Sequence, residues 1–339
     1  MARGETYLSS GVDRQGLEAI KEKIGAFARI THGPQVIGGV GGFAGLYRLE
    51  DYQQPVLVSS TDGVGTKLMI GSLLGHYESL GIDLVNLNVN DVLTAGARPL
   101  FFLDYISMGS LDAQRTEALL RGMAWACKEV GCALVGGETA QMPGMYVGDA
   151  YDLAGFVVGV VERESLIDGS AIEEGNALLG IPSSGLHTNG FSLVRHVFKV
   201  EQDPTVLYRR YDELKHTLGE ELLIPHRCYY PLLETLLPLI KGMAHITGGG
   251  LPGNVPRVLP AGLAARFHLG TWEVHPIFSI LQREGNVARE EMFRVFNMGL
   301  GMVLVCAPEA VDEVQKTVPE ARVVGEVIPP KGEERVVME

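Results

Sequence analysis

A chain of 339 residues is long enough for two domains, and 46% hydrophobic with 20% charged residues is the make-up of a protein that buries cores. A formal net charge of −13 excludes a surface that wraps nucleic acid, which needs a basic face, but not nucleotide binding through a carboxylate-held metal. There is no run of about 18 apolar residues to span a membrane. The opening MARGETYLSSGVDRQG has no apolar leader core, and Cys127, Cys132, Cys228 and Cys306 form no C-x-x-C pair, so free thiols in a reducing cytoplasm are expected.

Along the chain, apolar positions at Leu17, Ile20, Ile24 and Phe27 have helical spacing. The glycine loop 38–45 follows, then a buried strand at 55–60 and a strand-to-helix turn, TDGVGTK, at 61–67. Residues 81–97 predict a buried helix, 99–109 a strand and 112–130 a helix with Gly131 as its cap. CALVGGE at 132–138 predicts a short strand breaking into a glycine turn, and 151–162 another strand. The turn-rich segment 163–176 places a boundary, giving an N-terminal domain 1–168 and a C-terminal domain 169–339. Beyond it come a strand at 177–182, a polar loop and a helix at 191–200. A helix near 228–240, AHIT with a GGG turn, a strand at 298–307, a helix at 308–317 and strands at 322–328 and 335–339 complete the chain. The alternation argues for α/β or α+β domains with mixed sheets.

Four polar, glycine-rich segments sit at the ends of apolar elements, the usual place for ligand sites in such folds. TDGVGTK is not a P-loop, since the spacing of its second glycine to Lys67 is wrong and no Ser or Thr follows. Gly63 and Gly65 nevertheless free backbone N–H groups for an anion, Lys67 adds a charge, and Asp62 offers a metal ligand; a plain tight turn is the competing reading. Asn90 and Asp91 stand in an apolar run, where a carboxylate needs a metal, a cation or a helix end. Glu138 follows two glycines. Asp62, Asp91 and Glu138 together are a hard-oxygen set suited to Mg²⁺. In SSGLHTNGFSLVR, 183–195, a helix N-terminus makes a phosphate seat, His187 offers acid–base chemistry, and Asn189 is also read as a simple helix cap. Gly248, Gly250 and Gly253 fit G-x-G-x-x-G, but Pro252 and Pro256 make a poor opening for a crossover helix, so a nicotinamide-dinucleotide site is rejected. A loop of backbone donors for a second phosphate, lined by His245 and Thr247, is preferred.

Taken together, GGVGGF, STDGVGTK, GIDLVNLNVND, PLFFLDY, LVGGETAQMPGMY, SSGLHTNGFSLVR, HITGGGLPGNVPRVLP and EMFRVFNMGLGM resemble the phosphoribosylformylglycinamidine cyclo-ligase (aminoimidazole ribonucleotide synthetase) family, in order and from about Tyr7 to the C-terminus. The resemblance implies a two-domain α/β fold whose N-terminal domain forms an intersubunit β-barrel in a homodimer. It implies ATP-dependent ring closure of formylglycinamidine ribonucleotide, the fifth step of purine biosynthesis, through a phosphorylated amide. Asp62, Asp91 and Glu138 are then the expected Mg²⁺ carboxylates, with Asp62, Lys67, Asp91 and His187 catalytic. Gly41, Gly42, Gly63, Gly65, Thr66, Lys67, Asn90, Glu138 and Thr139 are expected on ATP. His187, Asn189, Gly190, His245, Thr247, Gly248, Gly249 and Gly250 are expected on the substrate. The helix carries Lys21 and Lys23, but the register puts Gly25 where relatives carry an ATP-associated lysine, so that lysine is not assigned. Sister enzymes are less favoured: VIGGVGGF lacks the cysteine of selenophosphate synthetase, and thiamine-phosphate kinase lacks the HTNGFSLVR wording. A non-catalytic nucleotide sensor would have lost the three carboxylates.

Overall fold

The computed structural model describes residues 6–330 and 332–339. They divide into two compact units. The first holds the chain up to Val89 together with Pro99–Val160, and the second holds Asn90–Arg98 together with Val161–Glu339.

The first unit opens with α1 (Arg14–Arg29), three residues earlier than the apolar spacing begins because Asp13 caps it by accepting from Gly16 N. After the short β1 (Val36–Ile37) and β2 (Leu46–Tyr47) come β3 (Pro55–Gly63), α2 (Lys67–Leu74) and α3 (Glu78–Leu93). Then follow β4 (Arg98–Met108), α4 (Ala113–Glu129), β5 (Ala133–Gln141) and β6 (Tyr151–Glu162). The last turn of α3 clusters with the second unit. A four-stranded sheet has the order β3-β6-β4-β5, with β4 and β5 parallel. Alternate residues of β4 separate its faces: Leu100, Phe102, Asp104 and Ile106 are buried, while Phe101 and Leu103 are half-buried and Tyr105 is exposed.

Two strand expectations are corrected. β3 is not buried, and Leu57 at its centre is 63% exposed. The paired glycines 136–137 do not turn the chain; after a bulge at Val135, β5 runs through them to Gln141 paired with β4. Gly137 lies opposite Asp104, and a Cβ there would stand 2.2 Å from the Asp104 carboxylate oxygen, so the glycine makes room for a buried acid rather than a turn. Burial pushes that acid up to about 7, and the nearby Glu138 charge adds to the rise.

The second unit is built on a mixed six-stranded sheet of β7 (Ala177–Pro182), β8 (Ile240–His245), β9 (Ala264–Phe267), β10 (Leu300–Cys306), β11 (Arg322–Ile328) and β12 (Val336–Met338). Its order is β12-β9-β11-β7-β10-β8. β7 and β10 are central and apolar throughout, and β10 is buried at every position, as strands covered on both faces must be. β7 and β8 both lie antiparallel to β10. They are therefore parallel to each other, and their C-terminal ends emerge on the same edge of the sheet. The expected helix near 228–240 shrinks to Tyr230–Leu233 and a single turn at Leu237–Leu239, because Pro231 and Pro238 sit at their openings. The four cysteines are free thiols, as expected. Among the described residues no helix is long and apolar enough to cross a membrane.

Candidate active site

Two loops leave that shared edge. The first, 183–190, follows β7 and leads into α5 (Phe191–Phe198); the second, 246–249, follows β8 and leads into a short helix, Gly250–Asn254. Their strands are pinned at one level: Met302 of β10 faces Ile181 on one side and His245 on the other. Asn189 reaches across, so a Cβ on Gly248 would lie 3.3 Å from its Oδ1. Asn189 is not the cap of α5; that position is Gly190, at φ 78° and without a side-chain bond. Thr188, Asn189 and Thr247 are half-buried, and Gly248 and Gly249 are exposed. The GGG turn is held from beneath by Asn254, whose amide donates to the carbonyls of Thr247, Gly248 and Gly250 at 3.3, 3.2 and 2.9 Å.

Under the loops lies a group of three buried histidines, His187, His226 and His245. His245 Nδ1 is 2.9 Å from Asp91 Oδ1. His226 Nε2 is 2.9 Å from His245 Nε2, and His226 Nδ1 is 3.2 Å from Thr188 Oγ1. His187 stacks on His226 with ring centroids 3.9 Å apart, and its Nε2 accepts from Ser184 N at 3.1 Å. His187 also holds a left-handed backbone, φ 62°, a cost sustained only where the surroundings fix it. Gly301 of β10 is what admits this packing: a Cβ there would stand 1.8 Å from the Tyr229 hydroxyl and 2.6 Å from His187 Cε1.

The segment carrying His226 is irregular but clamped. Asn90 Oδ1 accepts from Tyr229 N at 2.9 Å, and Asn90 Nδ2 donates to the Arg227 carbonyl at 2.8 Å. Tyr229 Oη donates to the Pro182 carbonyl at 3.0 Å, and Ser184 Oγ to the Pro225 carbonyl at 2.6 Å.

Several expected roles are corrected by this geometry. Asn90 is fully buried and spends both ends of its amide on this clamp, so it is a scaffold residue rather than a nucleotide ligand. His245 has both ring nitrogens engaged, and His187 is 1% exposed with Nε2 committed to the loop backbone. Both hold the loops from below. Asp91 turns Oδ1 to His245, so one of its oxygens orients that imidazole. Gly250 is buried, its N–H closing the turn on the Thr247 carbonyl. The rejected dinucleotide motif is indeed no crossover: the helix after β8 has five residues, and β8 pairs antiparallel with β10. His226 has no motif around it. Its one signal in sequence is a polar residue closing the apolar run Leu222–Leu223–Ile224.

In the first unit the strand–turn–helix reading of TDGVGTK holds. β3 ends at Gly63, Gly65 takes φ 68°, and Thr66 is the N-cap of α2. Lys67 departs from expectation. It is 0% exposed, and its Nζ lies 2.7 Å from Asp83 Oδ2, itself 0% exposed, so the ammonium is spent inside the unit. Burial pulls that ammonium down, and the Asp83 charge opposes the fall. Asp62 and Glu138 are both exposed, on β3 and β5. Those strands are opposite edges of the sheet, three strand spacings or about 14 Å apart, so the two carboxylates of one copy do not share a cation. Gly41 and Gly42 are exposed between β1 and β2, and Thr139 is half-buried on β5.

The AIR synthase related protein, N-terminal domain, matches residues 41–161, and the AIR synthase related protein, C-terminal domain, matches residues 173–338. Phosphoribosylformylglycinamidine cyclo-ligase from Geobacillus thermodenitrificans (strain NG80-2) is 50% identical over 336 residues, covering 96% of each chain. That from Sorangium cellulosum (strain So ce56) is 51% identical over 332 residues, covering 95% of each. The chain belongs to the phosphoribosylformylglycinamidine cyclo-ligase family. Solved structures share the fold at low identity. Thiamine-monophosphate kinase from Stenotrophomonas maltophilia K279a has a TM-score of 0.65 at 16% identity, covering 95% of each chain. The hydrogenase maturation protein HypE, solved in complex with ATP, has a TM-score of 0.66 at 17% identity, covering 92% of this chain and 88% of its own. The cyclo-ligase relatives thus match at high identity over nearly the whole chain, while the kinase and HypE match in fold alone.

Proposed function

We propose that the chain closes the imidazole ring of aminoimidazole ribonucleotide from formylglycinamidine ribonucleotide, using ATP and releasing ADP and phosphate. Support comes from full-length identity near 50% to proteins named for this reaction. The structural observation that carries the reading is the pair of loops, 183–190 and 246–249, brought to one sheet edge over a fixed histidine base. An amide oxygen is a poor leaving group. ATP phosphorylates the formyl amide oxygen, the amidine nitrogen attacks that carbon, and the oxygen departs with phosphate. The protein's task is to orient two phosphorylated ligands and neutralise their charge. Asn189, Gly190, Thr247 and the backbone N–H groups of Gly248 and Gly249 are the substrate-side contacts of this reading. Gly41, Gly42, Gly63, Gly65, Thr66 and Thr139 are its nucleotide-side residues.

Mg²⁺ accompanies ATP in this reading. Its donors are exposed hard-oxygen groups, Asp62 and Glu138, which suit that ion but lie too far apart to hold one together in a single copy. The ion screens phosphate charge when bound, and the residues around it hold the nucleotide in place. The working form is a cytoplasmic homodimer. Two features support it: Leu57, Tyr105 and Phe156 leave apolar side chains of the sheet open, with exposures of 63%, 39% and 38%, and β3 and β5 are the outer strands of that sheet among the described residues.

The test follows ADP and aminoimidazole ribonucleotide together. One-to-one formation, dependent on formylglycinamidine ribonucleotide, is expected. ADP without aminoimidazole ribonucleotide overturns the reading in favour of a kinase acting on another acceptor.

A further inference from the structure

The hydrogen-bonded line Asp91–His245–His226–Thr188 has a direction, and the direction follows from chemistry. An ionised carboxylate only accepts, so His245 Nδ1 carries a proton and donates to Asp91 Oδ1 at 2.9 Å. With both imidazoles taken as neutral, the other nitrogen of His245 is an acceptor, so His226 Nε2 carries the proton between the two rings, across 2.9 Å. By the same step His226 Nδ1 is bare, and it accepts from the Thr188 hydroxyl at 3.2 Å. The hydroxyl proton is therefore turned inward. The oxygen makes no other hydrogen bond among the described residues and keeps its lone pairs for a donor on the half-buried side of the loop.

We propose that Thr188 is a substrate-binding residue fixed as a hydrogen-bond acceptor by His226, which makes His226 a positioning residue, and that it takes an N–H or O–H of the phosphorylated substrate. The inference rests on the cyclo-ligase reading. Formylglycinamidine ribonucleotide supplies such donors in its amidine, its amide and its ribose hydroxyls. Thr188 is assigned no contact with ATP, so KM for ATP reads whether a loss is confined to the substrate. The arrangement disfavours ligands that present an acceptor at this point, because a threonine proton turned outward gives up its hydrogen bond to His226 Nδ1.

The test has two arms on the full-length protein. Nitrogen-15 NMR of the imidazoles reads the tautomers. Protonated Nδ1 on His245 with protonated Nε2 on His226 is expected, and protonated Nδ1 on His226 overturns the proposal. In kinetics, Thr188→Val removes the hydroxyl at nearly constant shape. It is expected to raise KM for formylglycinamidine ribonucleotide about tenfold, the loss of one hydrogen bond, with KM for ATP unchanged. Thr188→Ser recovers that loss. His226→Phe raises the same KM, and combined with Thr188→Val adds little, because the two act through one contact. An active enzyme in which Thr188→Val leaves KM untouched overturns the proposal alone. A wild-type protein that forms no aminoimidazole ribonucleotide overturns the parent reading instead.

Discussion

Removing the Asp83 carboxylate should strand the Lys67 ammonium. Both side chains are fully buried, with Nζ to Oδ2 at 2.7 Å, so Asp83→Asn keeps the shape and leaves a charge in a dry interior. Breaking a buried pair from one side costs about 3–5 kcal/mol. The structure also sets a ceiling. Lys67 can escape by losing its proton, which at pH 7 is about 3.5 units below the ordinary value of 10.5 and so costs about 5 kcal/mol. At pH 9 the same escape costs only about 2 kcal/mol. The sign follows from proton counting: the unfolded chain keeps the lysine proton up to its ordinary value while the folded variant has lost it, so the variant's stability rises with pH across that window. Urea unfolding at pH 7 and pH 9, with the slope m checked for constancy, should show a deficit that shrinks by about 1–3 kcal/mol between the two. Lys67→Met with Asp83→Leu, which removes both charges, should restore most of the stability. A deficit under about 1 kcal/mol and equal at both pH values, with a raised KM for ATP, would refute the reasoning and return Lys67 to the nucleotide.

Other outcomes can be checked alongside. Asp104, buried and raised to about 7 from an ordinary 3.8, opposes folding where it must ionise. The folded state holds its proton longer, so this site's contribution falls as pH rises from about 4 to 7, by up to about 4 kcal/mol. Asp104→Asn should remove that dependence and raise the melting temperature at pH 8. Gly301→Ala drives a methyl into the Tyr229 hydroxyl and His187, and should cost about 1–3 kcal/mol and broaden the imidazole resonances. Leu57→Glu puts charge on the open face of the first sheet and should turn the expected dimer into a monomer by sedimentation velocity. Asp62→Asn should cut turnover strongly while leaving the melting temperature within about 1–2 °C, since an exposed side chain contributes little to stability.

The strands and the longer helices were legible because their signals are local. α3 and α4 carry apolar positions at helical spacing, and the fully buried β10 is an unbroken apolar run. What escaped was set by partners distant in sequence. Gly136 and Gly137 look like a turn until Asp104 is seen to need the space beside Gly137. Lys67 looks like a phosphate ligand until Asp83, sixteen positions on, takes its charge. β9, of four residues, and the helix Arg289–Val295 went unassigned because they are short, while Pro276–Gly285 was missed although Ile277, Phe278, Ile280 and Leu281 have helical spacing. Of the site, His187, Asn189, His245, Thr247 and the glycine turn were named as a set, and the second unit brings them together. Their division of labour was not legible. Which imidazole faces a ligand depends on hydrogen bonds to Asp91 and His226, and no spacing rule encodes those.

The membership of Asn90–Arg98 in the second unit bears on synthesis at the ribosome. Asn90 waits for Tyr229, 139 positions later, and Asp91 for His245, 154 positions later. At about 5–20 residues per second, the end of α3 emerges on the order of 10–30 s before its partners exist. During that interval Asn90 and Asp91 adjoin Val92 and Leu93, residues that the finished protein buries, on a nascent chain. The second unit therefore cannot be completed from its own contiguous segment. A fragment beginning at residue 169 would lack the amide that holds Arg227 and Tyr229 and the carboxylate that orders the histidines. Chaperone capture of the half-made chain is the expected cellular consequence, and complementation by a separately supplied 90–98 peptide would be the laboratory one.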